Sequence, residues 1–317
     1  MVVLVTVGVV GSLAFASPEK IEIRWLMGVG HNMAVYAAHY YEFERLEKEL
    51  GIKVIPITAP SEAAYELCLR DWMAGGTSYD IVVLRPMWNG LFMRGYLLPL
   101  DELFDKYNFW DSYYDIVEEY RILYTQWAGK VYAVVEDGDV CLLYAWQDVL
   151  TNPEYQAKFK EKYGYDLPVP PQTWDELLDV AEFFTGWDWR GDGEPDYGLA
   201  TVPLARPFVD IMFHAMFGSY TGGQLIFDAN FEPNLTKNLD AAIQTLKTYR
   251  KLLDYMPPGW LEATFEESFK AFVERHAAMA LNYGDIGRFV LNPGTFGGHG
   301  SPEYMGKIVY APWPGVY

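Results

Sequence analysis

Hydrophobic and polar positions recur with different periods along the chain, and the changes of period mark its elements. Ile21 to Met27 (IEIRWLM) alternates as a strand does, and Gly28-Val29-Gly30-His31-Asn32 reads as the loop that leaves it. From Ala34 to Leu50 the residues Tyr36, Tyr40, Phe43, Leu46 and Leu50 recur at helical spacing with charges opposite, and Gly51 ends that helix. Ile52 to Ile57 is a second strand, and Ser61 to Met73 a second helix closed by Gly75-Gly76. Asp80 to Leu84 (DIVVL) is a short strand, apolar enough to be buried on both faces of a parallel sheet. Strand, helix, strand, helix, strand is a doubly wound α/β order.

Gly95 to Leu103 then leads into a helical, acidic and aromatic region that runs to Trp127. Two apolar runs follow, Val131 to Val135 and Val140 to Trp146, on either side of Glu136-Asp137-Gly138-Asp139. Their β-branched and aromatic residues predict a strand on each side, and the acidic break reads as a crossing point between lobes or as a solvated hairpin turn. Pro168 to Pro171 is a rigid break, after which Thr173 and Glu176 have the spacing of a capping box. Helices are predicted at Arg206 to Phe217, Leu235 to Tyr255 and Phe265 to Arg275, and strands at Ala277 to Leu281 and Lys307 to Ala311. No internal repeat is visible.

A chain of 317 residues, 51% hydrophobic and 21% charged, excludes a disordered protein and points to two domains. Its formal charge of -19 argues against nucleic acid and anionic membrane surfaces as partners. The 24 Tyr and 11 Trp exceed what a core of this size requires, and surplus aromatics suit the lining of a ligand groove. Cys68 and Cys141 have neither metal spacing nor a redox motif and read as small apolar residues; no cofactor motif is present. Residues 1–16 (MVVLVTVGVVGSLAFA) form an apolar segment too short to span a bilayer and end in a small-residue site, the pattern of a secretory signal peptide. The expected location is therefore secreted or periplasmic.

In a doubly wound sheet, ligands bind beyond the carboxyl ends of the strands. That rule selects His31 and Asn32 after the first strand, Ala59 to Ser61 after the second, and Arg85 to Asn89 after the third, with Trp88 as a candidate aromatic. Further along, Asp188, Asp192 and Asp196 in DWRGDGEPD have the spacing of an acidic calcium loop, although Arg190 interrupts it and a plain Asp-Gly turn is the simpler reading.

Across the mature sequence the chain resembles the extracellular solute-binding proteins of ATP-binding-cassette importers, family 1, the sugar-binding type. The resemblance is carried in order by WLMG at 25–28, Gly51-Ile52-Lys53-Val54, Tyr79 to Val83 and Gly95 to Asp101. It continues with Gly129 to Val134, Leu142-Leu143-Tyr144, Thr173 to Leu177, Ala277 to Ala280 and Lys307 to Pro314. It implies a two-lobed, hinged periplasmic-binding-protein-like fold (type II), each lobe an α/β sheet flanked by helices. Lobe 1 would be 17–137 plus 280–313 and lobe 2 would be 138–279. The family continues past its last strand into helices of lobe 2, so residues 314–317 would begin a truncated segment.

The implied function is capture of a sugar or oligosaccharide and its delivery to the membrane permease subunits of the importer, by a monomer that is not an enzyme. Asp137 and Asp139 would accept sugar hydroxyls, while Trp88, Phe208, Tyr220, Tyr283 and Trp313 would stack on the sugar's C–H faces. His31, Asn32, Ser61, Arg85 and Asp285 complete the expected ligand-binding set. The rival readings are another small solute, such as a peptide or polyamine, on the same fold, and a glycoside hydrolase that pairs Asp137 with Asp139 or Asp285.

Overall fold

The first strand, β1 (Ile21–Gly28), is flanked by β2 (Ile52–Ala59) and β3 (Ile81–Val82), and both pairings are parallel. The computed structural model describes residues 21–28, 31–202, 209–228, 230–293 and 300–316; the expected signal segment and Phe208 lie outside the described residues. The order β2-β1-β3 is what two βαβ crossovers produce when the second reverses direction across β1. Pro56 lies within β2, an edge strand, where a missing N–H costs the sheet nothing on the open side. Asp80 clamps β3 to β1: its carboxylate accepts from the Arg24 backbone N–H at 2.8 Å and from the Arg24 guanidinium at 2.9 and 3.0 Å.

The helical stretch after β1 begins earlier than the apolar spacing predicts. It forms two helices, His31–Ala38 and Tyr40–Leu50, so the expected His31-Asn32 loop opens a helix instead. The break falls at His39, whose ring nitrogen Nδ1 lies 2.9 Å from the Val35 carbonyl and competes with the helical ladder for it. Phe43 stacks on Tyr36 at 4.8 Å, and both rings meet Trp25 of β1 edge-on. The second helix, Ser61–Met73, is where the sequence places it.

The apolar run Val131 to Val135 is a strand only at its start. Gln126–Trp127 (β4) and Lys130–Val131 (β5) form a short antiparallel hairpin, and beyond it the Tyr132 amide donates a single backbone bond to the Thr125 carbonyl at 2.8 Å. Without a neighbouring strand, β-propensity alone does not make a ladder. The chain divides into two compact units between Gly138 and Asp139, inside the predicted acidic break.

The second unit is built on β6 (Cys141–Trp146), β7 (Tyr197–Thr201), β8 (Ala277–Tyr283) and β9 (Ile308–Pro312), ordered β7-β8-β6-β9. β7 and β8 are parallel, whereas β6 runs antiparallel to β8 and β9. Residues 280–313, expected in lobe 1, lie here in the second unit, where Leu143 of β6 pairs with both Leu281 and Ala311. A short apolar strand carries no local mark of which sheet will accept it. Ala277 to Asn282 are all buried, the pattern of a central strand covered on both faces.

One core joins Leu143, Trp146, Trp174, Phe184, Phe272 and Met279 with many neighbours. The Trp174–Phe184 helix presses directly on β7, since a Cβ at Gly198 would lie 1.9 Å from the Ala181 carbonyl oxygen. That helix starts with the capping box read from the sequence: Thr173 Oγ1 accepts from the Glu176 amide at 3.1 Å and Glu176 accepts from the Thr173 amide at 3.2 Å. Strand β7 has no clear mark in the sequence, because YGLAT is short and holds a glycine. Cys68 is buried and Cys141 half-buried; both are free, and burial pushes their thiols up to about 12 and about 11. Among the described residues no helix is long and apolar enough to cross a membrane.

Candidate functional site

Each unit carries part of the expected ligand-binding set at one end of its sheet. In the first unit the parallel strands β1, β2 and β3 deliver the chain at their carboxyl ends to helices that begin at His31, Ser61 and Pro86. Arg85 and Trp88 lie at the start of the Pro86–Phe92 helix. Trp88 is half-buried, 5.6 Å from the Tyr65 ring, and packs on a cluster that includes Leu26, Ala59, Cys68 and Phe92. Its indole Nε1 is buried without a hydrogen-bond partner. The ring thus serves as the hydrophobic plug of its loop while holding a donor in reserve. The side chains of His31, Asn32 and Ser61 lie outside the described set, but their backbones stand at the strand ends that the sequence selects.

Asp137 is exposed near the end of this unit, and its Oδ1 accepts the Gly138 amide at 2.9 Å. Gly138 is required there by close approach: a Cβ would fall 2.6 Å from the Tyr120 ring.

In the second unit, register brings together residues far apart in sequence. Cys141 pairs with Tyr283 and Leu142 with Pro312, so Asp139 and Val140, Tyr283 to Asp285, and Trp313 share one end of the sheet. The Val140 carbonyl accepts the Gly284 amide at 2.8 Å, and the Tyr144 hydroxyl donates to the Gly284 carbonyl at 2.8 Å. These bonds fix the turn between Tyr283 and Asp285. Tyr283 and Trp313 are half-buried against the core, and the Trp313 Nε1 is buried and unpartnered. Two half-covered aromatics beside carboxylates offer apolar faces and hydrogen-bonding groups at once, the combination that a sugar's C–H faces and hydroxyls require.

Behind the turn lies a polar network that sequence reasoning missed. Asn282, Ser268 and Thr201 are all fully buried. Asn282 Nδ2 donates to Ser268 Oγ at 2.6 Å, and Ser268 Oγ donates to the Thr201 carbonyl at 2.6 Å. Trp260 Nε1 donates to Thr201 Oγ1 at 3.0 Å, while Asn282 Oδ1 accepts the Tyr283 amide at 2.9 Å. The network ties the end of β7 to the end of β8, and because its members are satisfied it rigidifies this end rather than destabilising it. An Asn inside an otherwise apolar strand (AAMALNY) was the available signal.

Tyr220 is not joined to this group. It lies near the end of the Val209–Thr221 helix with its hydroxyl 2.8 Å from Thr248 Oγ1, and it borders a shallow surface groove of about 510 Å³ with Lys237, Asn238 and Gln244.

The DWRGDGEPD loop closes as a turn around Asp188. Asp188 accepts the amides of Gly191, Asp192 and Gly193 at 2.7, 3.1 and 3.0 Å, which hold its carboxyl below the usual carboxylate range. Asp196 is fully buried, where desolvation pushes its carboxyl up while the Arg190 guanidinium pulls it down. Arg190 pairs with both Asp192 and Asp196, so the residue that breaks the calcium pattern takes the place of the cation. Among the described residues no three acidic, His or Cys side chains cluster as metal ligands.

The fold is of the α/β periplasmic-binding-protein type. Residues 30–317 match the model of the bacterial extracellular solute-binding protein family, and the chain belongs to that family. Among solved structures, it is similar to the ABC transporter solute-binding protein of Agrobacterium radiobacter K84 in complex with ribitol. That likeness has TM-score 0.71 and 18% identity, and covers 95% of this chain and 68% of that one. Maltose-bound MalE3 of T. maritima gives TM-score 0.67 at 22% identity, covering 93% and 67%. The solute-binding protein of Thermotoga lettingae TMO bound with α-D-tagatose gives 0.68 at 19%, covering 93% and 69%. At these identities the likeness establishes the fold. A sequence search of curated proteins finds no match.

Proposed function

We propose that this protein is the substrate-binding component of an ABC importer, and that it captures a sugar or oligosaccharide without altering it. Membership of the solute-binding family supports the class, and sugars or polyols in the similar structures support the cargo. The observation that carries the reading to residues is the strand-end group of Asp139, Tyr283, Asp285 and Trp313 in the second unit. Phe208, in the segment that follows β7, joins this set in the proposal. In the first unit the proposed solute-binding residues are Arg85, Trp88 and Asp137, with His31, Asn32 and Ser61.

Each ionised carboxylate that accepts a sugar hydroxyl would contribute about 1.5–3 kcal/mol, and each stacked ring about 0.5–1.5 kcal/mol by analogy with aromatic pairs. The bound sugar favours a closed state only by its differential affinity for it. Export through the 1–16 signal, a periplasmic location, action as a monomer and delivery to permease subunits belong to the same proposal.

Calorimetric titration with maltose, ribitol, mannitol and tagatose tests it. Binding of at least one, weakened about tenfold or more by Trp313→Ala and by Asp285→Asn, is the expected result. Heats from a peptide or polyamine panel, with none from any sugar, would replace the cargo. Reducing-sugar release from a polysaccharide, abolished by Asp137→Asn, would replace the class.

A further inference from the structure

The opposite end of the second unit's sheet, where β7 and β8 begin, carries charged groups that sugar capture does not use. Arg190, 15% exposed, reaches three partners from the 186–196 loop: the carboxylates of Asp192 and Asp196, and His276 immediately before β8. Its Nη1 lies 3.0 Å from His276 Nε2. A guanidinium can only donate, so this bond requires Nε2 to be the acceptor, with the ring neutral and its proton on Nδ1. The same Nε2 lies 3.6 Å from the Glu274 carboxylate, a contact that is attractive only when Nε2 carries a proton. One ring nitrogen therefore faces a cation on one side and an anion on the other.

We propose that His276 is a proton-operated switch that fastens the 186–196 loop to the start of β8 when neutral and releases it when charged. With the ring neutral, Arg190 bridges the loop to His276. Two bonds to backbone carbonyls run alongside: the Trp189 indole Nε1 donates to the Arg275 carbonyl at 2.9 Å, and the Tyr197 amide to the His276 carbonyl at 2.8 Å. When a proton binds Nε2, the acceptor disappears, two cations face each other, and Nε2–H turns to Glu274. Asp192 shares Nη1 with His276, and Asp196 holds Nε, so the loop loosens rather than leaves. Arg275 does not compensate, because its guanidinium is committed to Asp148 at 3.1 Å and to the face of Trp146 at 4.3 Å. The device acts on the second unit's fold and does not rest on the identity of the solute.

Hydrogen exchange of the full chain, read by mass spectrometry on peptides covering 186–197 and corrected for intrinsic rates, tests this between pH 8 and pH 5, the span across which imidazoles change charge. In the wild type, protection of the Trp189 and Arg190 amides should fall about threefold to tenfold toward pH 5, the worth of one lost hydrogen bond. His276→Gln keeps an acceptor for Arg190 and should flatten that dependence. Glu274→Gln removes the partner of the charged ring and should move the transition to lower pH. A wild-type profile that is flat, or an equal fall in His276→Gln, overturns the switch. Nitrogen NMR of the His276 ring gives a second reading: a protonated Nε2 at pH 8 would also overturn it.

Discussion

The two units solve the burial problem with different sheets. In the first, a three-stranded parallel sheet has a burial pattern that rises only toward the carboxyl end of β1, and its core is a small cluster around Leu26, Cys68 and Phe92. In the second, a mixed four-stranded sheet has a central strand buried from Ala277 to Asn282 and one continuous core. A strand buried on both faces can hold a satisfied Asn–Ser–Thr network, because surrounding side chains exclude water from it. The thinner sheet instead relies on a surface clamp, Arg24 with Asp80, each 38% exposed at the side chain and correspondingly weak. Strand ends carry Arg85 and Trp88 in the first unit and Asp139, Tyr283, Asp285 and Trp313 in the second. In the second, the buried Asn282–Ser268–Thr201 network braces them; in the first, buried Asn89, one residue after Trp88, donates to the Tyr124 carbonyl at 2.8 Å.

The largest effect comes from the tightest contact in the second unit. Gly198→Ala forces a methyl group into the Ala181 carbonyl, 1.9 Å away, and should destabilise that unit by about 3 kcal/mol or more. Urea unfolding followed in each unit separately should show the loss in the second alone; an equal loss in both would mean that they unfold as one. Leu26→Ala is the matching lesion in the first unit and should cost about 2–5 kcal/mol, toward the low end because a small cluster relaxes more easily. A value at the high end would show the first unit to be as well packed as the second.

Gly138→Ala probes the boundary. Its Cβ would meet the Tyr120 ring at 2.6 Å, which should cost about 1–3 kcal/mol. The cost should shrink in the Tyr120→Ala background when a double-mutant cycle is measured; additive losses would deny the contact.

The smallest effect is a titration in the second unit. Lys237 and the amides of Glu232 and Asn230 hold the Asp228 carboxyl down at about 2, from an ordinary 3.8. Its contribution to stability is therefore complete above about pH 4 and is lost as pH falls through about 2, the acid-side loss expected of a depressed carboxylate. Carbon NMR of Asp228 should find the low midpoint and see it rise in Lys237→Met.

Local pattern was enough for much of the chain. The alternation of IEIRWLM, the amphipathic spacing of Ser61–Met73 and the Thr173–Glu176 cap are short-range signals, and the structure has each element where they place it. An acidic glycine break between apolar runs lies where the chain divides into its two compact units. Pattern failed where a residue's state depends on a distant partner. Val131 to Val135 has strand composition but, among the described residues, no neighbouring strand to extend the ladder.

By itself the sequence determined an α/β chain and where several of its strands and helices begin and end, because hydrophobic period and turn chemistry act over a few residues. Only the tertiary structure decided that β8 and β9 complete the second sheet, that Asn282 is wired to Thr201, and that Arg190 fills the place a cation would take. Each of those depends on residues many positions apart, and nothing in local spacing encodes which distant groups will meet.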